Sequence, residues 1–147
     1  MKTILLLSFL LILAACNQTP TSSTTTTTTV KPVASSGKTI AESKAGEVTV
    51  LLTNSQGHLK DGENDFTVEF RNAAGQPVDV GAVTMFIDMP GMGAMAPMKS
   101  NVKLMTTNTL GIYQATTNLE MAGTWYGNVS YKGNVGEGKT KFAINAK

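Results

Sequence analysis

Hydrophobic residues follow three different patterns along the chain. An apolar run, interrupted only by Ser8, extends over residues 4–15. Residues 17–46 show no periodic apolar pattern and include an unbroken run of threonines at positions 24–29. From Glu47 onward, apolar and polar residues alternate with a period of two, and no stretch has a helical period. The three patterns predict a short leader, a tether and a β-domain.

The alternating part predicts a single all-β domain over residues 47–147. Short apolar–polar segments recur there, and turn signals rich in Gly, Asn and Pro separate them. About seven short antiparallel strands in roughly 100 residues are typical of an immunoglobulin-like β-sandwich. Trp125, the only tryptophan, is the predicted core anchor. The predicted strands lie at about residues 48–52, 66–70, 78–89, 102–104, 112–119, 125–131 and 142–144.

The N-terminal apolar run is too short to cross a membrane. A helix needs about 20 residues to span a bilayer core of about 30 Å. With Lys2 before it and small residues after it, the run predicts an export signal over residues 1–15. Cys16, the only cysteine, follows Leu13-Ala14-Ala15, and this segment resembles the lipobox of bacterial lipoproteins. The resemblance implies cleavage before Cys16, acylation of that cysteine, and a lipid-anchored protein that faces the periplasm or the cell exterior.

Residues 16–46 predict a disordered tether between the lipidated Cys16 and the domain. The stretch is rich in Ser and Thr and poor in apolar residues. So few apolar side chains cannot offset the conformational entropy lost on folding. The tether would hold the domain away from the bilayer surface.

Charge and residue types exclude several classes of function. The chain has a net charge of +2, but residues 47–147 carry eight basic and nine acidic side chains. Such a domain has no basic face for binding nucleic acid. It also has a single histidine and no cysteine after Cys16, and its carboxylates are scattered over turns and outward strand positions. We therefore expect no nucleophile–base pair, no general acid–base pair and no catalysis.

Methionine is the unusual feature of the predicted domain. Seven of the eight methionines lie between positions 85 and 121. A thioether is a soft, neutral ligand that suits Cu(I) or Ag(I). Four methionines recur at intervals of three in a loop broken by Gly and Pro, and we predict them as metal ligands: Met89, Met92, Met95 and Met98. Met121 and His58 are secondary candidates, and no metal is expected to be required for folding.

Other interpretations of the same residues stay open. Methionine fills irregular gaps in cores, and Met85 alternates with Val83 and Ile87 as a core residue would. The loop could equally be an apolar docking surface for an envelope partner, or a set of oxidant-scavenging thioethers.

Several segments together resemble the YtkA-like domain family, which also takes in FixH-like proteins. The resemblance spans about residues 47–146, and its most specific segments are Met89-Pro90-Gly91-Met92-Gly93 and Met121-Ala122-Gly123-Thr124-Trp125. Further matching segments are Gly62-Glu63-Asn64, Phe66-Thr67-Val68, Gly75-Gln76-Pro77-Val78 and Gly111-Ile112-Tyr113.

The family resemblance implies an immunoglobulin-like fold, export or membrane tethering, and an association with copper handling. A copper-accepting or copper-exporting envelope protein would then be the partner. Carried over by position, it points to Met89 and Met92 as ligands. Family members often have histidine directly after the Met-Pro-x-Met-Gly segment, whereas this chain has Ala94. Either Met95 and Met98 substitute for it in an all-sulfur site, or the metal site has been lost.

Overall fold

The computed structural model describes residues 37–147, and every regular element in that part is a β-strand. The export signal, Cys16 and most of the predicted tether lie outside the described residues. No helix in the described part is long and apolar enough to span a membrane. The strands are β1 Lys38–Ala45, β2 Val48–Asn54, β3 Gly62–Arg71, β4 Ala82–Met89, β5 Met98–Asn101, β6 Lys103–Thr106, β7 Ile112–Leu119, β8 Gly123–Gly133 and β9 Gly136–Ala146.

The strands form two antiparallel sheets that enclose one core. The five-stranded sheet has the order β1-β2-β3-β7-β6, and the four-stranded sheet has the order β5-β4-β8-β9. Two hydroxyl hydrogen bonds join the sheets, one from each edge strand of the four-stranded sheet. Ser43 Oγ of β1 lies 2.6 Å from Thr140 Oγ1 of β9, and Ser100 Oγ of β5 lies 2.8 Å from Thr117 Oγ1 of β7. The predicted all-β sandwich is confirmed.

The core follows from the period-two pattern of the strands. Alternate residues point inward, so Val50 and Leu52 of β2 and Val68 and Phe70 of β3 are all fully buried. Trp125 is only 1% exposed, and its indole Nε1–H donates to the Met121 carbonyl at 3.0 Å. The prediction of Trp125 as a core residue is therefore correct, and its one polar atom is satisfied.

A buried carboxylate and a partly exposed guanidinium form an ion pair on the opposite face of β3. Glu69 is 0% exposed, and both of its carboxylate oxygens accept hydrogen bonds of 2.9 Å from the Arg71 guanidinium. The hydrogen bond to Glu69 raises the pKa of Arg71. This bidentate ion pair offsets the desolvation cost of the Glu69 carboxylate.

The structure corrects the predicted strand count and the predicted start of the domain. There are nine strands in the described part and not seven, because β1 and β5 were not expected. Residues 38–45 belong to the predicted disordered tether, yet they pair with β2, and Ile40 and Ala41 pack against the core. The boundary at residue 47 is therefore too late. Strand pairing and three apolar side chains, those of Ile40, Ala41 and the buried Ala45, order this segment, although its average composition is polar.

The third predicted strand also begins later than expected. β4 starts at Ala82, because Gly81 has a φ of 74° and interrupts the extended backbone. A Cβ at Gly81 would lie 2.7 Å from the Lys132 carbonyl oxygen, so only glycine fits here.

Candidate metal site at the β4–β5 hairpin

The methionine-rich segment is the connection of an antiparallel hairpin. Met89 of β4 pairs directly with Met98 of β5, and residues 90–97 join the two strands. At the tip, Met92 N–H donates to the Met95 carbonyl at 3.2 Å, and Met95 N–H donates to the Met92 carbonyl at 3.0 Å. The interval of three is symmetric about the tip, so the hairpin sorts four methionines into two cross-strand pairs.

Gly91 and Gly93 permit this tight closure. Gly93 is the first of the two central residues of the turn, and its φ of 58° is in the left-handed region that hairpin turns require. A Cβ at Gly91 would lie 2.9 Å from the Met95 carbonyl oxygen. Gly91 has no predicted role of its own, although it lies in a loop segment whose Gly and Pro residues interrupt the strand pattern.

The tip pair is open to solvent. Met92 is 57% exposed and Met95 is 45% exposed. Two residues that exchange both backbone hydrogen bonds have Cα atoms about 5.5 Å apart and carry their side chains on one face. Two flexible thioethers at that separation can therefore converge on one soft ion.

The other cross-strand pair, Met89 and Met98 at the base of the hairpin, lies deeper in the molecule. Met98 is half-buried and packs against the core, and Met89 is only 2% exposed. Gly123 lies against Met89, since a Cβ at Gly123 would be 3.0 Å from the Met89 ε-methyl carbon. All four methionines are predicted ligands, and burial in the core separates Met89 from the exposed pair.

The loop that carries His58 lies at the same end of the sandwich as the hairpin. Leu59 forms a bridge with Ala146, which pairs with Gly123 beside Met89. His58 is half-buried, and its carbonyl accepts a hydrogen bond of 2.8 Å from Asn54 Nδ2. His58, a secondary candidate ligand, therefore shares one end of the sandwich with the methionines of the hairpin.

The other methionines have separate environments. Met121 is half-buried and packs against the core near Trp125. Met85 is 6% exposed, as predicted for a core residue. Met105 is 41% exposed in β6, opposite Gln114 and toward the other end of the sandwich. Met105 is thus an exposed methionine outside the candidate site.

The hairpin is electrically neutral. Residues 90–97 contain no ionisable side chain, and each of them is exposed. The raised tyrosine pKa values lie elsewhere, since burial raises the pKa of Tyr113 and of Tyr131. Within residues 37–147, no three His, Cys, Asp or Glu side chains gather as a metal-binding group. The soft donors at the hairpin are thioether sulfurs, and binding through them would release no proton.

A comparison with known protein families identifies the family of the chain. The family described as YtkA-like matches residues 41–130, which is more than half of the chain. The chain belongs to the YtkA-like family. The match includes the whole β4–β5 hairpin and begins within β1, which agrees with a domain that starts before residue 47. A search of curated proteins found no match.

Proposed function

We propose that this YtkA-like protein is a non-catalytic, lipid-anchored envelope protein whose β4–β5 hairpin binds Cu(I) or Ag(I). It would act in copper handling, copper delivery or metal resistance. Family membership supports an association with copper resistance at the cell envelope. The observation that carries the proposal is the pair of exposed thioethers, Met92 and Met95, joined across the hairpin tip by reciprocal backbone hydrogen bonds.

Met92 and Met95 are the proposed chelating pair, with Met98 as a third donor. Their sulfurs need no deprotonation, so binding would not compete with protons. The hydrophobic core contains Met85 and Met89 but neither residue of the tip pair, which suits a metal that is cargo and not a folding cofactor. The exposed tip leaves the ion open to transfer to an accepting or exporting envelope protein.

A Cu(I) titration against a chromophoric chelator, without oxygen, tests the proposal. The full chain would carry Cys16→Ser, because a free thiolate would bind the ion itself. We expect Met92→Leu combined with Met95→Leu to weaken binding by at least about tenfold, since two donors are lost while volume is conserved. The matched control replaces Met85 and Met105 by leucine and should bind as the parent does.

Equal affinity in the tip variant and the control would contradict the proposal. The affinity of the parent should also be the same at about pH 6 and pH 8, because thioethers do not titrate in that range. A marked decrease in affinity at the lower pH would contradict a site built of thioethers alone.

A docking surface is the second candidate function. The observation that favours it is the run of eight exposed, uncharged residues at positions 90–97. A docking surface would tolerate Met92→Leu, because leucine is equally apolar, and would be damaged by Met92→Ser. Capture of an envelope partner that followed this order and ignored added Cu(I) would favour docking over metal binding.

A further inference from the structure

The methionines of the sandwich differ widely in solvent exposure. Met92 and Met95 are 57% and 45% exposed, whereas Met85 and Met89 are 6% and 2% exposed. An oxidant in solution reaches exposed thioethers first, because sulfoxide formation requires contact with the sulfur. The two sulfurs best placed to hold a soft ion are therefore also the two best placed to be oxidised.

We propose that sulfoxidation of Met92 and Met95 by peroxides turns off metal binding at the hairpin, and that a bound metal ion prevents this oxidation. The inference rests on the proposed function and adds its regulation. In each step, a sulfur lone pair attacks one oxygen of hydrogen peroxide. The O–O bond breaks and an S–O bond forms, so sulfur loses two electrons and the peroxide is reduced to water.

Metal occupancy and oxidation oppose one another because both draw on the electron density of the same sulfur. A thioether sulfur has two lone pairs, and donation of one to Cu(I) or Ag(I) makes the other less nucleophilic toward peroxide, while the bound ion shields the sulfur. Conversely, the sulfoxide is a polar group that has lost the soft thioether character of the ligand. An occupied hairpin would keep its sulfurs reduced, and an empty hairpin would be inactivated by oxidant.

The fold of the hairpin does not depend on the two oxidisable side chains. The tip is held by backbone hydrogen bonds between Met92 and Met95 and by the positive φ of Gly93. Sulfoxides at exposed positions require no burial of a new polar group, whereas a sulfoxide at Met89 would place one in the core. Oxidation of the tip would therefore be reversible by methionine sulfoxide reductases without unfolding of the domain.

Peptide mass spectrometry after peroxide treatment tests the first half of the proposal. The full chain with Cys16→Ser would be treated with and without Ag(I), which replaces Cu(I) because a cuprous ion reacts with peroxide. Without metal, we expect sulfoxide at Met92, Met95 and Met105, and little at Met85 and Met89. When free Ag(I) is ten times the dissociation constant, about one site in eleven is empty, so oxidation of the tip pair should slow by about tenfold.

Met105 is the internal control, because it is 41% exposed and lies away from the hairpin. Its oxidation rate should be nearly the same with and without Ag(I). Equal slowing at Met105 and the tip pair, or no slowing at the tip pair, would overturn the proposal.

The second half is tested by titrating Ag(I) into the oxidised protein, with Met105→Leu as the background. We expect sulfoxidation of the tip to weaken binding by at least about tenfold, and sulfoxide reductases to restore it. If the oxidised protein binds as tightly as the reduced one, the regulatory proposal fails while the binding function stands. If the reduced protein itself does not bind Ag(I), the proposed function fails first, and the two failures are thereby distinguished.

Discussion

Replacement of Met89 tests whether the base of the hairpin is core or ligand. Met89 is 2% exposed and lies against Gly123, whereas Met92 at the tip is more than half exposed. Met89→Ala removes Cγ, Sδ and Cε from a packed site and leaves a cavity between the two sheets. Met89→Leu conserves the volume and removes only the sulfur.

The expected cost of Met89→Ala is about 3 kcal/mol of unfolding free energy, within the range of about 2–5 kcal/mol for such core truncations. The structure describes 111 residues. At about 2.1 cal/mol/K per residue, their unfolding entropy is about 0.23 kcal/mol/K, so Tm should fall by roughly 13 °C. Met89→Leu should cost less than about 1.5 kcal/mol, and Met92→Ala should stay within about 0.5 kcal/mol of the parent.

Urea unfolding followed by the fluorescence of Trp125, the only tryptophan, measures these costs, and an Ag(I) titration of each variant measures binding. We expect Met89→Leu to retain the Ag(I) affinity of the parent. The reasoning is refuted if Met89→Leu weakens binding as much as Met92→Leu does, because Met89 would then be a ligand. A cost of Met89→Ala below about 1 kcal/mol would likewise refute its placement in the core.

Two further predictions concern residues of the sandwich outside the hairpin. Arg71→Met should lower the unfolding free energy by about 3 kcal/mol, because it leaves the fully buried Glu69 carboxylate without its partner. The double variant that also carries Glu69→Leu should recover most of that loss. Urea unfolding measures both variants, and a single variant as stable as the parent would contradict the prediction. Gly123→Ala should lower Tm by more than Gly75→Ala in thermal unfolding. Both glycines have positive φ, but only at Gly123 would the new Cβ approach another side chain, that of Met89; equal decreases in Tm would show that this contact is relaxed.

The sandwich itself was predictable because its signal is local. Buried residues recur with a period of two in β4, β7, β8 and β9, and that period identifies the inward face of each strand. The core position of Trp125 and the alternation of Met85 with Ile87 follow from the same rule.

The first strand was missed for an equally physical reason. Residues 38–45 contain few apolar side chains, and their order comes from pairing with β2 and from the Ser43–Thr140 contact with β9. An edge strand of this kind is stabilised by partners distant in the chain, so its own composition does not reveal it.

The sequence by itself determined the β-domain, the soft neutral chemistry of the hairpin and the regular interval of its methionines. Only the tertiary structure decided how those methionines differ. Antiparallel pairing placed Met92 opposite Met95 and Met89 opposite Met98, and packing between the sheets buried Met89 while it left the tip in solvent. The donor chemistry of a side chain follows from its residue type alone. Burial and pairing depend on residues distant in the chain, such as Gly123, which approaches Met89 only after the sheet has assembled.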